Sequence, residues 1–80
     1  MSEQEILAAF TRILRDLLMD DSIALSMSTR RPDVPKWDSF AYVNFIVAVE
    51  SELGIRFNVA EVDAFETVGE IVAAAAAHQR

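Results

Sequence analysis

The 80-residue chain contains no cysteine, which excludes disulfide bonds and thiolate ligands for a metal. This absence fits a reducing compartment, where disulfides would not persist. It also means that any thiol chemistry would need a thiol that the sequence does not encode. A core of this small size must therefore be stabilised by side-chain packing.

Histidine and glycine are also scarce, and this scarcity argues against catalysis. The single histidine, His78, is the third residue from the end, where a solvated side chain is expected rather than a partner for Ser39 in a hydrolase triad. Gly54 and Gly69 are too far apart for a glycine-rich phosphate loop. Carboxylates do not repeat closely beyond residues 20 and 21, so no metal site is predicted. The sequence predicts neither a catalytic residue nor an enzyme.

Positive charge is sparse, because 7 Lys and Arg stand against 13 Asp and Glu, giving a net charge of −6. Such a surface disfavours nucleic acid and anionic membranes as partners and favours a protein with a basic docking patch. The longest weakly polar run, residues 40–49, contains Asn44 and is too short to cross a bilayer. Residues 2–5 are polar and acidic, unlike a secretory signal. We expect a cytoplasmic monomer.

What the sequence does contain is helical periodicity, in a chain of the size of one small domain, residues 1–80. Ser2 and Glu5 form a capping-box pattern at the start of a predicted amphipathic helix over residues 2–18. The apolar residues of this helix recur at helical spacing: Ile6, Phe10, Ile13, Leu14 and Leu17.

From Met19 to Trp37 no period is sustained, which predicts a long loop. Apolar residues that could anchor it to the core are Ile23, Leu25 and Met27. The loop also carries a basic cluster, Arg30, Arg31 and Lys36, against the sign of the whole chain. Two interpretations of this cluster are open, a functional patch or solvated loop charges.

A second helix is predicted from residue 38 or 39 to Leu53, and it has two apolar stripes. The first has the spacing of a core face: Tyr42, Phe45, Ile46, Val49 and Leu53. The second, narrower stripe contains Phe40, Val43 and Val47, and the remaining arc contains Ala41, Asn44, Ala48, Ser51 and Glu52. Because a bundle helix needs only one stripe, the second is either covered by the long loop or exposed for a partner.

The rest of the chain predicts a linker and two further helices. Gly54 is expected to end the second helix, and residues 55–57 are interpreted as a buried linker, since no second strand-like run could pair with them. Asn58 is expected to cap a short helix over residues 59–63, followed by Phe65 as a core residue. Thr67 and Glu70 form another capping pattern before the final helix. The predicted fold is all-α, a small four-helix bundle of three main helices and one short helix, with a long loop between the first two.

The start of the second helix is suited to an anion. Asp38 is a good N-cap, because its carboxylate can accept a hydrogen bond from a first-turn N–H group that has no partner within the helix. Ser39 would then lie in the first turn with its hydroxyl near solvent. A phosphate on that hydroxyl would lie in the favourable field of the helix N-terminus.

These features together resemble those of acyl carrier proteins. The resemblance includes the acidic character and length of the chain, the motif Asp38-Ser39-Phe40 at the start of an apolar second helix, and the capped last helix. The three-residue motif is common by itself. Its register with Ile55 and Phe57 after the second helix, and with the final helix, makes the resemblance specific over nearly the whole chain.

The resemblance implies that Ser39 carries 4′-phosphopantetheine, joined to it from coenzyme A by a phosphopantetheinyl transferase that uses Mg²⁺. Asp38 corresponds to the residue that helps the transferase hold its metal. The thiol at the end of the arm would hold acyl or aminoacyl groups as thioesters for loading and chain-modifying enzymes of fatty-acid, polyketide or related biosynthesis. Phe40, Val43 and Val47 correspond to partner-binding positions, as do the acidic residues Glu50 and Glu52.

Two departures from the family pattern indicate a specialised carrier with a dedicated set of partners. Trp37 stands where many carrier proteins have glycine shortly before the serine, and Ala41 and Asn44 stand in a helix that is usually strongly acidic. Long apolar cargo is expected to lie between the second and last helices, beside the small residues 73–77. The competing interpretation is a non-carrier, acidic helical domain that binds another protein, in which residues 38 and 39 are simply a helix start.

Overall fold

Four α-helices make up most of residues 1–79, which are the residues that the computed structural model describes. The helices are α1 (Glu3–Leu18), α2 (Ser39–Leu53), α3 (Val59–Ala64) and α4 (Val68–His78). A single 3₁₀ turn, Arg31–Asp33, lies in the loop between α1 and α2, and residues 1–79 contain no strand. None of these helices is long and apolar enough to span a bilayer. The all-α prediction of three main helices, a short helix and a long loop is confirmed.

The helices begin at the cap residues that were predicted from the sequence. The Ser2 hydroxyl accepts a hydrogen bond from the Glu5 N–H at 3.1 Å, and the Glu5 carboxylate accepts one from the Ser2 N–H at 2.8 Å. Thr67 caps α4 by accepting from the Glu70 N–H at 3.2 Å. Each cap pairs first-turn N–H groups that have no partner within the helix, so these boundaries were readable from local sequence.

The core lies where α1 packs against both α2 and α4. Phe10 of α1 meets Phe45 of α2 edge-on, with ring centroids 5.3 Å apart. The largest fully buried side chains come from these three helices: Ile6, Phe10, Leu14, Phe45, Val49, Val68 and Val72. The residues predicted for the inner faces of α1 and α2 therefore form the core, except that Leu17 is exposed and that Tyr42 and Leu53 are only partly buried.

The two stripes of α2 have different environments. Phe45, Ile46 and Val49 of the first stripe are buried, while Tyr42 and Leu53 are partly buried at its edges. Phe40, Val43 and Val47 are 77%, 55% and 56% exposed, so the long loop does not cover the second stripe. Ala41 was predicted to lie outside both apolar stripes, on the remaining arc of α2. This prediction was wrong, because Ala41 is buried in the core cluster that also includes loop residues.

The loop between α1 and α2 contributes more to the core than its sequence indicated. Ile23 and Leu25 are buried, as expected, but Met27 is exposed. Val34 and Trp37, which no periodicity marked, are buried as well, and Trp37 is only 4% exposed. Trp37, which departs from the family pattern, is therefore a core residue and is not exposed to a partner.

Two backbone hydrogen bonds attach the loop to the first turn of α4. The Val68 N–H donates to the Thr29 carbonyl and the Gly69 N–H donates to the Met27 carbonyl, both at 2.8 Å. A Cβ on Gly69 would lie 2.6 Å from the Met27 carbonyl oxygen. Glycine at position 69 thus allows the loop backbone to approach the helix, since any side chain there would push a carbonyl away.

The linker after α2 is fixed by one of the acidic residues of that helix. Gly54 ends α2 in the left-handed conformation, with φ of 65°. The Glu50 carboxylate then accepts a hydrogen bond from the Phe57 N–H at 2.8 Å. Phe57 is buried and Ile55 partly buried, so the prediction of a buried linker in place of a strand is confirmed.

We predict that Gly69→Ala displaces the loop from α4, because the Met27 carbonyl has to move. The free energy of unfolding should fall by about 1–3 kcal/mol, measured by chemical denaturation. Hydrogen exchange should show lost protection at the N–H groups of residues 68 and 69.

The control is Gly54→Ala, where a Cβ meets no atom within 4 Å and only the positive φ is unfavourable. This substitution should cost about 1–2 kcal/mol and leave the protection of residues 68 and 69 unchanged. Equal loss of that protection in both variants would contradict the role assigned to Gly69.

Candidate functional site

The first turn of α2 leaves two N–H groups and one hydroxyl without a partner. The Asp38 side chain accepts from the Ala41 N–H at 2.9 Å, and the Asp38 carbonyl accepts from the Tyr42 N–H at 2.8 Å. Within residues 1–79 no acceptor pairs with the N–H groups of Ser39 and Phe40. The Ser39 side chain is exposed and forms no hydrogen bond with these residues. Ser39 thus combines a free hydroxyl with the positive end of a helix.

Ser39 lies on the wall of a cleft of about 410 Å³. The cleft is bounded by the loop, the start of α2, the short helix α3 and the start of α4. Its lining residues are Thr29, Arg30, Arg31, Pro32, Trp37, Ser39, Tyr42, Val43, Val62, Asp63, Phe65, Glu66, Thr67, Val68 and Ile71. The cleft lies at the start of α4, where Val68 and Ile71 line it, and none of residues 73–77, beside which long apolar cargo is expected, is among its lining residues.

Two aromatic residues form the wall of the cleft next to Ser39. The Trp37 ring packs edge-on against Phe45, with centroids 5.3 Å apart, and lies 6.3 Å from the Tyr42 ring. The Trp37 Nε1–H is buried and has no acceptor among residues 1–79, which costs about 1–3 kcal/mol that the packing must offset. The Tyr42 hydroxyl donates to the Val62 carbonyl at 2.8 Å and so ties α2 to α3. A tyrosine hydroxyl is protonated at neutral pH, and partial burial raises the pKa of Tyr42 further above its ordinary value.

The basic cluster of the sequence is divided by the fold. The Arg31 guanidinium lies 5.1 Å from the centre of the Tyr42 ring, in a cation–π arrangement on the wall of the cleft. Arg30 also lines the cleft. Lys36 is not among the lining residues, and its charge acts on Asp20 instead. The pKa of Asp20 is lowered mainly by hydrogen bonds from Ser22, with a smaller contribution from Lys36.

The first turn of α3, which forms one wall of the cleft, is held by its own cap and by a contact with the end of α4. Asn58 caps α3 by accepting from the Glu61 N–H at 2.8 Å, and the Glu61 carboxylate accepts from the Asn58 N–H at 3.0 Å. His78 Nε2 lies 3.0 Å from Glu61 Oε1, which links α3 to the end of α4. The His78 ring also packs edge-on against Phe57. His78 is therefore a contact residue of α3 rather than a freely solvated one, and it has no contact with Ser39.

The outward face of α2 beside Ser39 is apolar and has few free charges. Its exposed large side chains are Phe40, Val43 and Val47. Glu50 is partly buried and accepts from the Phe57 N–H, while Glu52 forms an ion pair with Arg12 of α1. Both acidic residues expected to face a partner are thus already engaged within the chain.

Some residues of the cleft were not found by sequence reasoning. Tyr42 was assigned to the core stripe of α2. A tyrosine in an apolar stripe still needs a hydrogen-bond partner for its hydroxyl, and this requirement could have indicated its contact with Val62. Val62, Phe65 and Thr29 reach the cleft only because the loop and α3 fold over the start of α2. No spacing in the sequence indicates that approach. Residues 1–79 also contain no cluster of three or more side chains suited to hold a metal.

Comparison with known proteins identifies the segment that contains Ser39. Residues 37–75 match a family model described as a phosphopantetheine attachment site. The acyl carrier protein MbtL of Mycolicibacterium paratuberculosis (strain ATCC BAA-968 / K-10) is 36% identical over 78 residues, which cover 98% of this chain and 88% of that protein. The solution NMR structure of a holo acyl carrier protein from Geobacter metallireducens matches with a TM-score of 0.83 and 33% identity, over 90% of this chain and 83% of that chain.

We predict that the attachment of α3 weakens at low pH. The pKa of Glu61 is lowered, first by the hydrogen bond from the Asn58 N–H and then by the one from His78. A lowered pKa in the folded state stabilises the protein above the ordinary value of 4.5, and this stabilisation is lost as the pH falls through the folded value.

The free energy of unfolding should therefore fall less between about pH 7 and about pH 3 in Glu61→Gln than in the natural chain. Denaturant titrations at the two pH values measure this difference. Glu66→Gln removes an exposed carboxylate two residues after α3 that has no contact with His78, and it is the control. An equal effect of both substitutions would contradict the assignment.

Proposed function

The chain belongs to the acyl carrier protein family, and we propose that it carries acyl groups as thioesters on a 4′-phosphopantetheine arm attached to Ser39. The cofactor of this family is 4′-phosphopantetheine, attached covalently, and the family consists of carriers rather than catalysts. The observation that supports Ser39 most strongly is its free, exposed hydroxyl in the first turn of α2, within the matched segment.

The residues present fit a phosphate ester at this position. The unpaired N–H groups of residues 39 and 40 and the dipole of α2 favour an anion there. The cleft beside Ser39 offers apolar and aromatic surface to whatever is tethered at its wall. Once bound, the group supplies a terminal thiol that forms thioesters, which the chain itself lacks because it has no cysteine.

In the attachment reaction the Ser39 oxygen is the nucleophile. It forms a bond to the phosphorus of coenzyme A that bears the pantetheine, the pyrophosphate bond breaks, and adenosine 3′,5′-bisphosphate leaves. The hydroxyl proton passes to a base of the phosphopantetheinyl transferase or to water. Nothing in the contacts of Ser39 hinders this attack, since its side chain is exposed and forms no hydrogen bond within residues 1–79.

Asp38 is suited to contact the Mg²⁺ of the transferase. One of its carboxylate oxygens, Oδ1, caps α2 through the Ala41 N–H, and the residue is exposed. The cap fixes the orientation of the carboxylate, and its other oxygen is available to a metal. Asp38 therefore has two roles in this proposal, as a structural cap and as a metal contact during attachment.

Partner enzymes are expected to bind the apolar face of α2 formed by Phe40, Val43 and Val47. These are the transferase and the acyl- or aminoacyl-loading and chain-modifying enzymes of fatty-acid, polyketide or related biosynthesis, in the cytoplasm. Because Glu50 and Glu52 are engaged within the chain, we infer that these partners dock mainly through apolar contact. A dedicated partner set follows, since an enzyme with a purely basic patch would find few free carboxylates on α2.

We predict that the purified apo chain gains the mass of one phosphopantetheine when it is incubated with coenzyme A, Mg²⁺ and a broad-specificity transferase. Intact-mass spectrometry measures the gain, and a known carrier serves as the positive control for the transferase. Ser39→Ala should abolish it while Ser51→Ala, an exposed serine of the same helix, should leave it intact.

A folded chain that gains no mass beside a working control would contradict the carrier function and leave the interaction-domain interpretation. A gain that persists in Ser39→Ala would contradict the assignment of the site.

We further predict that Phe40→Ala raises the KM of the transferase for the apo chain roughly 5- to 30-fold, equivalent to about 1–2 kcal/mol. Val59→Ala is the matched control, because Val59 of α3 is also 77% exposed. Raising NaCl from about 20 mM to about 500 mM should change the KM of the natural chain less than about threefold, since screening affects charges and not apolar contact.

A steep loss of affinity with salt would contradict the inference of apolar docking. An equal effect of the Phe40 and Val59 substitutions would contradict the assignment of the docking face to α2.

A further inference from the structure

The Arg31 guanidinium is held in the cleft without an acidic partner. It lies over the Tyr42 ring, and none of the ion pairs among residues 1–79 involves it. Guanidinium groups bind carboxylate and phosphate oxygens through paired hydrogen bonds, and stacking on an aromatic ring reduces the entropy lost when they do so. Arg31 is therefore preorganised for an oxyanion that this part of the chain does not supply.

The position of Tyr42 brings Arg31 close to Ser39. Residues 39 and 42 are three positions apart on α2, so their side chains leave the same face of the helix as neighbours. The Tyr42 side chain, which carries Arg31 over its ring, therefore leaves α2 beside Ser39. Both Arg31 and Ser39 line the same cleft.

We propose that Arg31 binds the phosphodiester that joins the arm to Ser39 and thereby positions the first bonds of the arm over the cleft. This inference rests on the proposed attachment at Ser39. It deepens the proposed function, because it makes the loop residue Arg31 a positioning residue for the tethered group.

Other charges near the cleft favour this role. Asp38, Asp63 and Glu66 carry the same sign as a phosphodiester, and the last two line the cleft with Ser39. A phosphodiester on Ser39 would be repelled by these three carboxylates unless a cation compensated for them. Arg30 also lines the cleft, but it does not stack on Tyr42. Arg31 is thus the better placed cation, and as an intramolecular ligand the phosphodiester would reach it at high effective concentration.

The test compares the apo and holo forms of the whole chain by NMR, after intact-mass spectrometry has established conversion. In the natural chain, attachment of the unloaded arm should shift the Arg31 Nε–Hε resonance. In Arg31→Gln the transverse relaxation rate of the phosphorus nucleus should fall at least about twofold, because the phosphodiester gains motion independent of the protein. Arg31→Lys should show an intermediate value, since it keeps the charge but loses the planar, stacked donor pair.

Arg56→Gln is the matched control, because it removes the same charge from an exposed residue that does not line the cleft. Its phosphorus relaxation should equal that of the natural chain, and amide spectra of all variants check that they are folded. Three results would overturn the proposal: no shift of Arg31 Nε–Hε on conversion, equal relaxation in the Arg31 and Arg56 variants, or a shift that appears only when a carboxylate-bearing acyl group is loaded. Failure of the mass gain itself would instead contradict the attachment at Ser39.

Discussion

The docking of the long loop on the first turn of α4 is the constraint on which the rest of this structure depends. A helix begins with N–H groups that lack partners, and the carbonyls of Met27 and Thr29 pair with two of them. Gly69 makes the approach sterically possible. With the loop fixed there, Arg31 comes to lie over Tyr42, Trp37 is buried against Phe45, and a cleft forms beside Ser39.

What could be predicted from the sequence was local. The caps at Ser2, Asp38, Asn58 and Thr67 follow from residue types a few positions apart, and the inner faces of α1 and α2 follow from helical spacing. The burial of Ala41 and Trp37 could not be predicted, because it depends on how an aperiodic loop crosses the bundle.

The candidate site was also predicted only in part, from residues that are close together in the sequence. Asp38 and Ser39 were found from their motif and its register, but the cleft beside them was not, because four separate segments build it. Glu50 and Glu52 illustrate a related difficulty. The resemblance to acyl carrier proteins implied that they bind partners, whereas their bonds to Phe57 and Arg12 depend on the three-dimensional fold. Although the chain has a net charge of −6, the outward face of α2 therefore has few free carboxylates.

Of the six serines of the chain, Ser39 is the one that we propose as the attachment residue. The most direct measurement is fragmentation mass spectrometry of peptides from protein co-expressed with a phosphopantetheinyl transferase. We predict that the added group is found on Ser39 and on no other serine. An unmodified Ser39, or modification at Ser26, Ser28 or Ser51, would contradict it.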